Sequence, residues 1–455
     1  MALLNLLSIA RSALTTHQRA LEVTGHNIAN ANTEGYTRQR LIVEPLTPER
    51  TSYGTIGRGV TIDTIRRMRD QFLDVRFREE RALLGRHDAM SRRLSEIEGI
   101  VGEPSDSGLA ATIDAFMNAF GDLANDPSGG AARTLVQHQG RQVADALNRM
   151  AGRIAEIAQE ARQQVDVSLR DVNQLATEIA GLNTQIVEVE ANGGTAGDMR
   201  DRRDLAIDRI AQLLPARVVE NPNGSDRILV GDVLLVDQGI AQQLTLRAGP
   251  GTRTGLGLVG GTNYFEPSSG ELSGLLEVVN DRVPGVTQTL DTLARGIVTE
   301  VNALHQSGIN GLGQPGGEFF DGTGLTARTI RLSVPVSNSV DAIVAGATGA
   351  AGDGSIALAI GQLRNQGVVS LNGISIHEFL TQMVSGVGVA TQTSARVAEA
   401  QDVLVTNIEG QRSAAHDVSV DEEMVTLITH QQAYAAAARI VNVADEMVRE
   451  LLNMI

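Results

Sequence analysis

Each end of this chain carries an apolar stripe at helical spacing, and a stripe of that kind needs a partner. From the start, Leu3, Leu7, Ala10, Leu14, His17, Leu21, Thr24 and Ile28 recur at alternating steps of four and three. At the other end, Val420, Met424, Leu427, Gln431, Tyr434, Ala438, Val441, Asp445, Val448, Leu452 and Ile455 repeat the pattern. Such spacing lays one seam along a helix and requires a second helix to cover it. The later stripe runs to the last residue, so this terminus is expected to pack, whereas chain ends ordinarily fray. Polar residues in the seams (His17, Gln431, Asp445) leave two readings open. Either they fix the register of a closed pair, or the seams are wet and touch several neighbours, as in a tube of helices.

A length of 455 residues exceeds one ordinary core and predicts two or three domains. Aromatics make up 3% with no Trp, so small aliphatic residues carry the packing, which suits long helices laid side by side. The net charge of −16 repels phosphate backbones and anionic lipid, which argues against nucleic-acid and membrane partners. Arg is dense between Arg58 and Arg93, but Asp70, Asp74, Glu79 and Glu80 are interleaved, the pattern of a salt-bridged helix face. Without Cys there is neither a disulfide nor a thiolate metal site. No stretch approaches the ~20 apolar residues that span a bilayer. The first basic residue is Arg11, too late for a secretory signal, so export would use a route without a cleaved signal.

Along the chain, the first helix should end near Asn30-Ala31-Asn32, followed by a turn in which Gly35 takes positive φ. Tyr36 to Glu44 reads as a strand stopped by Pro45 and Pro48, Gly59 to Ile65 as a second, and a helix resumes from Asp70 to Ile100. Ala131 to Ala191 forms the longest predicted helix, a rod of about 90 Å that needs others beside it. Leu272 to His305 and Ile376 to Ser413 are the candidates. Ala216 to Leu258 alternates short aliphatic runs with Asn223-Gly224, Gly231-Asp232 and Gly249-Pro250 turns, the signal of hairpins. Within the Gly-rich stretch from Gly308 to Gly354, Thr329 to Val336 reads as a further strand.

Catalytic patterns are wanting. Gly255 to Gly260 and Gly311 to Gly316 both match the spacing of a dinucleotide-binding loop, but neither opens a helical pattern, which that chemistry requires. His377-Glu378 begins like a zinc-protease helix, yet Thr381 stands where the second His is needed. No catalytic, cofactor-binding or metal residue is assigned, no cofactor is expected, and the chain is not read as an enzyme. A structural signal survives: Ser419-Val420-Asp421-Glu422 is a capping box that starts the last helix near Val420.

The segment Asn27-Ile28-Ala29-Asn30-Ala31-Asn32-Thr33-Glu34-Gly35-Tyr36-Thr37-Arg38-Gln39 resembles the N-terminal signature of bacterial flagellar axial proteins, with Glu34 where Pro is usual. Gly274-Leu275-Leu276, Asp281-Arg282-Val283-Pro284, Leu290-Asp291, the run from Val301 to Gly308 and Phe319-Phe320 narrow the resemblance to the flagellar hook-associated protein 1 family. Val418 to Met424, Gln431-Gln432-Ala433-Tyr434 and Ala444-Asp445-Glu446-Met447 are similar to that family's C-terminal end.

The resemblance implies a structural adaptor between flagellar hook and filament, assembled as an annular layer whose paired terminal helices line the tube. It implies a homo-oligomeric ring, contacts with hook protein and hook-associated protein 3, and type III export guided by a chaperone at the C-terminal helix. The location would be extracellular, in the flagellum. The expected fold is mainly α with β-rich insertions: an elongated, long antiparallel helical bundle from the N- and C-terminal segments with a small β-domain in the middle. The expected division is 1–32 plus 418–455 as a terminal coiled-coil-like helical domain, 33–213 plus 266–307 plus 372–417 as a long helical bundle with a short hairpin, and 214–265 plus 308–371 as a β-rich insertion. Leu3, Leu7, Leu14, Leu21, Ile28, Val420, Met424, Leu427, Tyr434, Val441, Val448, Leu452 and Ile455 are the expected assembly interface. Alternatives are another axial component (hook-associated protein 3 or hook protein) and an adhesin displayed on the flagellum.

Overall fold

The computed structural model describes residues 2–51, 54–102 and 108–453. Helix α1 (Ala2–Ala29) is followed by a turn in which Gly35 takes φ +77°, as predicted. Next come β1 (Gln39–Pro45), β2 (Glu49–Thr51), β3 (Gly54–Ile56) and β4 (Val60–Arg67). β1 pairs antiparallel with β4 and β2 with β3, so the chain runs past Pro45 and Pro48 into a longer, two-part hairpin. Asp70 caps α2 (Gln71–Val101), its carboxylate accepting the amides of Phe72 at 2.9 Å and Leu73 at 3.4 Å. Then follow α3 (Leu109–Asn125), the 62-residue α4 (Gly130–Ala191) and α5 (Gly197–Leu213).

The strands β5 (Ala216–Glu220), β6 (Asp226–Val230), β7 (Val233–Asp237) and β8 (Ile240–Ala241) form one antiparallel sheet in chain order. β9 (Leu244–Ala248) and β10 (Thr254–Leu258) make a separate hairpin. A long helical segment then runs through α6 (Glu271–Glu277), a π-helical turn at Val278–Arg282 and α7 (Val283–Gln306). Pro284 has no N–H to continue the α-helical ladder, and the wider turn falls just before it. β11 (Ile309–Asn310), α8 (Val334–Asn338), β12 (Val344–Gly346) and α9 (Ser355–Gln362) lead into α10 (Ile376–His416) and α11 (Val420–Asn453).

One hydrophobic cluster runs from Ala89 in α2 through α3, α4, the sheet, α6, α7 and α9 to Val387 in α10. α10 packs antiparallel on α2: Gln401 bonds to Glu80, and Thr391 to the carbonyl of Leu94. Phe77, Val405 and Ile408 form a satellite cluster at the end of this pair nearest the termini. Buried residues of α1 and α11 belong to neither cluster, so the terminal pair stands outside the main core.

The sequence reading is corrected in several places. Thr329 to Val336 is not a strand: Phe320 and Leu332 make one isolated bridge and Val334 starts a short helix, with Pro335 denying the ladder a donor. The segments 214–265 and 308–371 dock on different stretches of α4. Asn173 and Asn183 hold the carbonyls of Leu244 and Asp226, whereas Asn148 holds those of Ala327 and Ile330. Asn148 and Asn173 lie about 37 Å apart along the helix. α3 and α5 went unassigned. Gly255 to Gly260 lies in β10 and the turn after it, and Gly311 to Gly316 lies in a loop.

Candidate assembly interface

α1 and α11 pack antiparallel, with His17 against His430 and Asn27 against Glu423. The contact face of α11 is built from Glu423, His430, Ala433, Ala437, Val441, Ala444 and Val448. Alanine lets the helix axes come close, and Ala437 and Ala444 are buried in the seam. The opposite side of α1 rests on the hairpin, where Ser12 Oγ accepts the Val60 amide at 3.3 Å.

The predicted stripe therefore divides. Leu7, Leu14, Leu21, Ile28, Leu427, Val441 and Val448 are half-buried, while Val420, Met424, Tyr434 and Leu452 are exposed. Leu3 lies in α1 but its side chain is outside the described residues, as is Ile455. Gln431 and Asp445 also face out, and Asp445 pairs with Arg449 on the surface. Of His17, Gln431 and Asp445, only His17 is in the contact.

The larger finding on α11 is a second apolar stripe that sequence reading missed. Val425 is 67% exposed, Ile428 49% and Val443 52%, and Ile440 and Met447 lie beside them. Steps of three (425 to 428, 440 to 443) and four (443 to 447) mark two short apolar patches on one side of the helix, with Gln432 and Arg439 between them. The helix thus turns Ala437 and Ala444, with Val441 and Val448, toward α1 and shows Val425, Ile428 and Val443 to solvent. Scattered exposed apolar residues need no explanation, but an aligned face does.

The root of this pair is polar and tightly joined, and the signature loop supplies it. Asn27 Nδ2 donates to the Gln39 carbonyl at 2.9 Å and to Glu423 at 3.0 Å, while its Oδ1 accepts the Gln39 amide at 3.0 Å. Arg38 reaches Glu423 through Nε at 2.8 Å and Glu422 through Nη1 at 2.9 Å. This corrects the capping box: Ser419 Oγ accepts the Glu422 amide at 3.5 Å, but the Glu422 carboxylate turns to Arg38 instead of reaching back. The Arg38 amide donates to the carbonyl of His416, and the Thr37 amide to Asp201. His416 Nε2 in turn accepts the Asp70 amide at 2.8 Å, tying the end of α10 to the start of α2.

Beneath the root lies a buried ion-pair network. Asp204 meets Arg67 at 2.7 Å, Arg69 at 2.8 Å and Arg78 at 3.3 Å; Asp208 meets Arg78 and Arg412 at 2.6 Å each; Asp74 meets Arg69 at 2.5 Å and Arg412 at 2.7 Å. Burial pushes the Asp204 carboxyl up, but Arg69, Arg67, Arg78 and Arg203 together outweigh it and hold it down at about 2. At the edge burial wins: Asp226 is pushed up to about 6 although Arg203 stands 2.9 Å away. The interleaved charges between Arg58 and Arg93 thus reach across elements, binding β4, α2, α5 and α10 into one block. Among the described residues, no group of three or more His, Asp or Glu is placed to hold a metal ion, and no helix is long and apolar enough to cross a membrane.

A second polar centre sits where the Val301 to Gly308 run meets Phe319-Phe320. Asn302 accepts the amides of Phe319 and Phe320 and donates to the Phe320 carbonyl. His305 donates from Nδ1 to the Gly317 carbonyl at 2.7 Å and accepts the Val344 amide at Nε2 at 3.0 Å. These side chains fold the loop after α7 back on itself and seat both Phe rings against Phe116 in α3.

Comparisons with known proteins agree with this layout. The family described as the flagellar hook-associated protein FlgK helical domain matches residues 94–320. A flagellar basal body rod FlgEFG C-terminal family matches 414–454, and a flagella basal body rod family matches 7–37. Flagellar hook-associated protein 1 of Bacillus subtilis (strain 168) is 29% identical over 92% of this chain and 92% of its own length. The Escherichia coli (strain K12) protein of the same name is 25% identical over 70% of this chain, which spans 60% of that relative. In fold, the chain is similar to the flagellar hook junction protein FlgK from Burkholderia pseudomallei, with a TM-score of 0.67, 15% identity, and coverage of 76% of this chain and 100% of the other.

Proposed function

The chain belongs to the flagellar hook-associated protein 1 family, and from that premise we propose how it serves as the structural adaptor of the hook–filament junction. Copies assemble side by side into an annular layer with their terminal helix pairs pointing inward. The outer stripe of α11 is then covered by neighbouring copies. The exposure of Val425, Ile428 and Val443 on one face carries this reading, because such a face gains about 25 cal/mol for each Å² removed from water. The buried network below the root holds the pair at a fixed angle to the α2/α10 rod, so every copy presents the stripe alike.

The family is one of structural proteins of the flagellum outside the cell, not of enzymes, and we assign the chain no catalytic activity and no cofactor. The hook protein on one side and hook-associated protein 3 on the other are the proposed neighbours. An export chaperone on the C-terminal helix would keep the α11 stripe covered before type III export. A strain lacking the chain tests the junction role: hooks should remain while filament protein is shed into the medium. Normal filaments in that strain would refute it.

A further inference from the structure

We propose that His17 and His430 form a clip that takes a divalent transition-metal ion, zinc first, across the seam between α1 and α11. Their Nδ1 atoms stand 3.2 Å apart, with ring centroids at 5.4 Å and planes tilted by 43°. Two imidazole nitrogens bound at about 2.0–2.1 Å to one tetrahedral zinc lie about 3.3 Å from each other. The pair already has the bite of a chelate.

In the metal-free seam one Nδ1–H donates to the other Nδ1. On binding, the donating ring moves its proton to Nε2, both Nδ1 lone pairs face the ion, and no proton is lost. Burial, with His17 alongside and Glu423 opposing, holds His430 below the usual imidazole range, so its ring is neutral and ready to ligate at neutral pH. Glu423 cannot complete the site, because Arg38 and Asn27 hold its carboxylate. Water fills the remaining positions, since both rings are only half-buried. Imidazole suits zinc, nickel and copper alike. The consequence is structural: one ion would join residues 413 apart in sequence and order both ends of the chain together.

The test is a calorimetric titration of the verified full-length monomer with zinc chloride in chelator-free buffer, repeated with nickel. One equivalent should bind, and amide exchange in 5–30 and 420–450 should slow when it does. H17A and H430A should each weaken binding at least tenfold, with H17Q as a milder replacement, while H138A, at an exposed histidine on α4, should bind as the parent does. Imidazole ¹⁵N shifts should move for His17 and His430 together. Failure to take up zinc, or unchanged uptake by the H17A/H430A double variant, would overturn the proposal. The adaptor reading is unaffected by either result, because the titration needs no assembly.

Discussion

His305 shows how one buried residue sets a pH limit on the fold. Burial pulls its pKa down to about 4, against about 6.5 for an exposed imidazole, while the bond to Gly317 opposes the shift. Between those values the unfolded chain holds a proton that the folded chain rejects. The stability tied to His305 is therefore complete above about pH 6.5 and is lost as pH falls toward 4, with about 2 kcal/mol gone by pH 5. Denaturant unfolding at pH 7 and pH 5 should show that slope, and H305Q should flatten it; an equal slope in both proteins would reject the assignment. Asp204 is the opposite case, a buried charge kept ionised by its partners. D204N leaves Arg67, Arg69 and Arg78 short of a counter-charge and should cost about 3–5 kcal/mol in the same assay. A cost below about 1 kcal/mol would mean the network is solvated.

At the scale of elements, the long helices were legible because length and period agree. The rod α4 and the helices α2, α10 and α11 appear within a few residues of the reading. The two helices missed differ in kind. α5 carries Asp201, Arg203, Asp204 and Asp208, which read as a solvated surface but are buried in ion pairs. α3 buries Leu109, Ile113, Phe116, Met117 and Phe120 opposite a polar face of Asp114, Asn118, Asp122 and Asn125, a helical period that was legible in the sequence and was passed over. Within the chain the α11 seam is made by the buried Ala437 and Ala444 beside Val441 and Val448 of the predicted stripe, the alanines being too small to stand out in an apolar pattern. Close approach decides another crossing: a Cβ on Gly274 in α6 would meet the Arg86 carbonyl of α2 at 2.3 Å. G274A should cost about 1–3 kcal/mol although Ala favours helix. A stabilised G274A, read from its melting temperature, would contradict the packing of α2 on α6.

At the scale of the whole molecule, the division of labour is between a cored body and a terminal pair that stands outside that core. The sequence revealed the two ends as partners but could not tell which side of α11 they shared, because both stripes repeat at helical spacing. If the outer stripe serves assembly, I428D/V443D should change monomer stability by no more than about 0.5 kcal/mol, as surface substitutions do, yet fail to restore filaments in a strain lacking the chain. Restored filaments would separate the stripe from assembly. The most direct measurement uses the absence of Cys. A single V443C variant, with I240C on the exposed β8 strand as control, can be labelled with a maleimide as monomer and again in intact hook–filament preparations. Both sites should react in the monomer, and in the organelle V443C should be protected while I240C still reacts. Equal labelling of V443C in monomer and organelle would contradict the burial of this face on assembly.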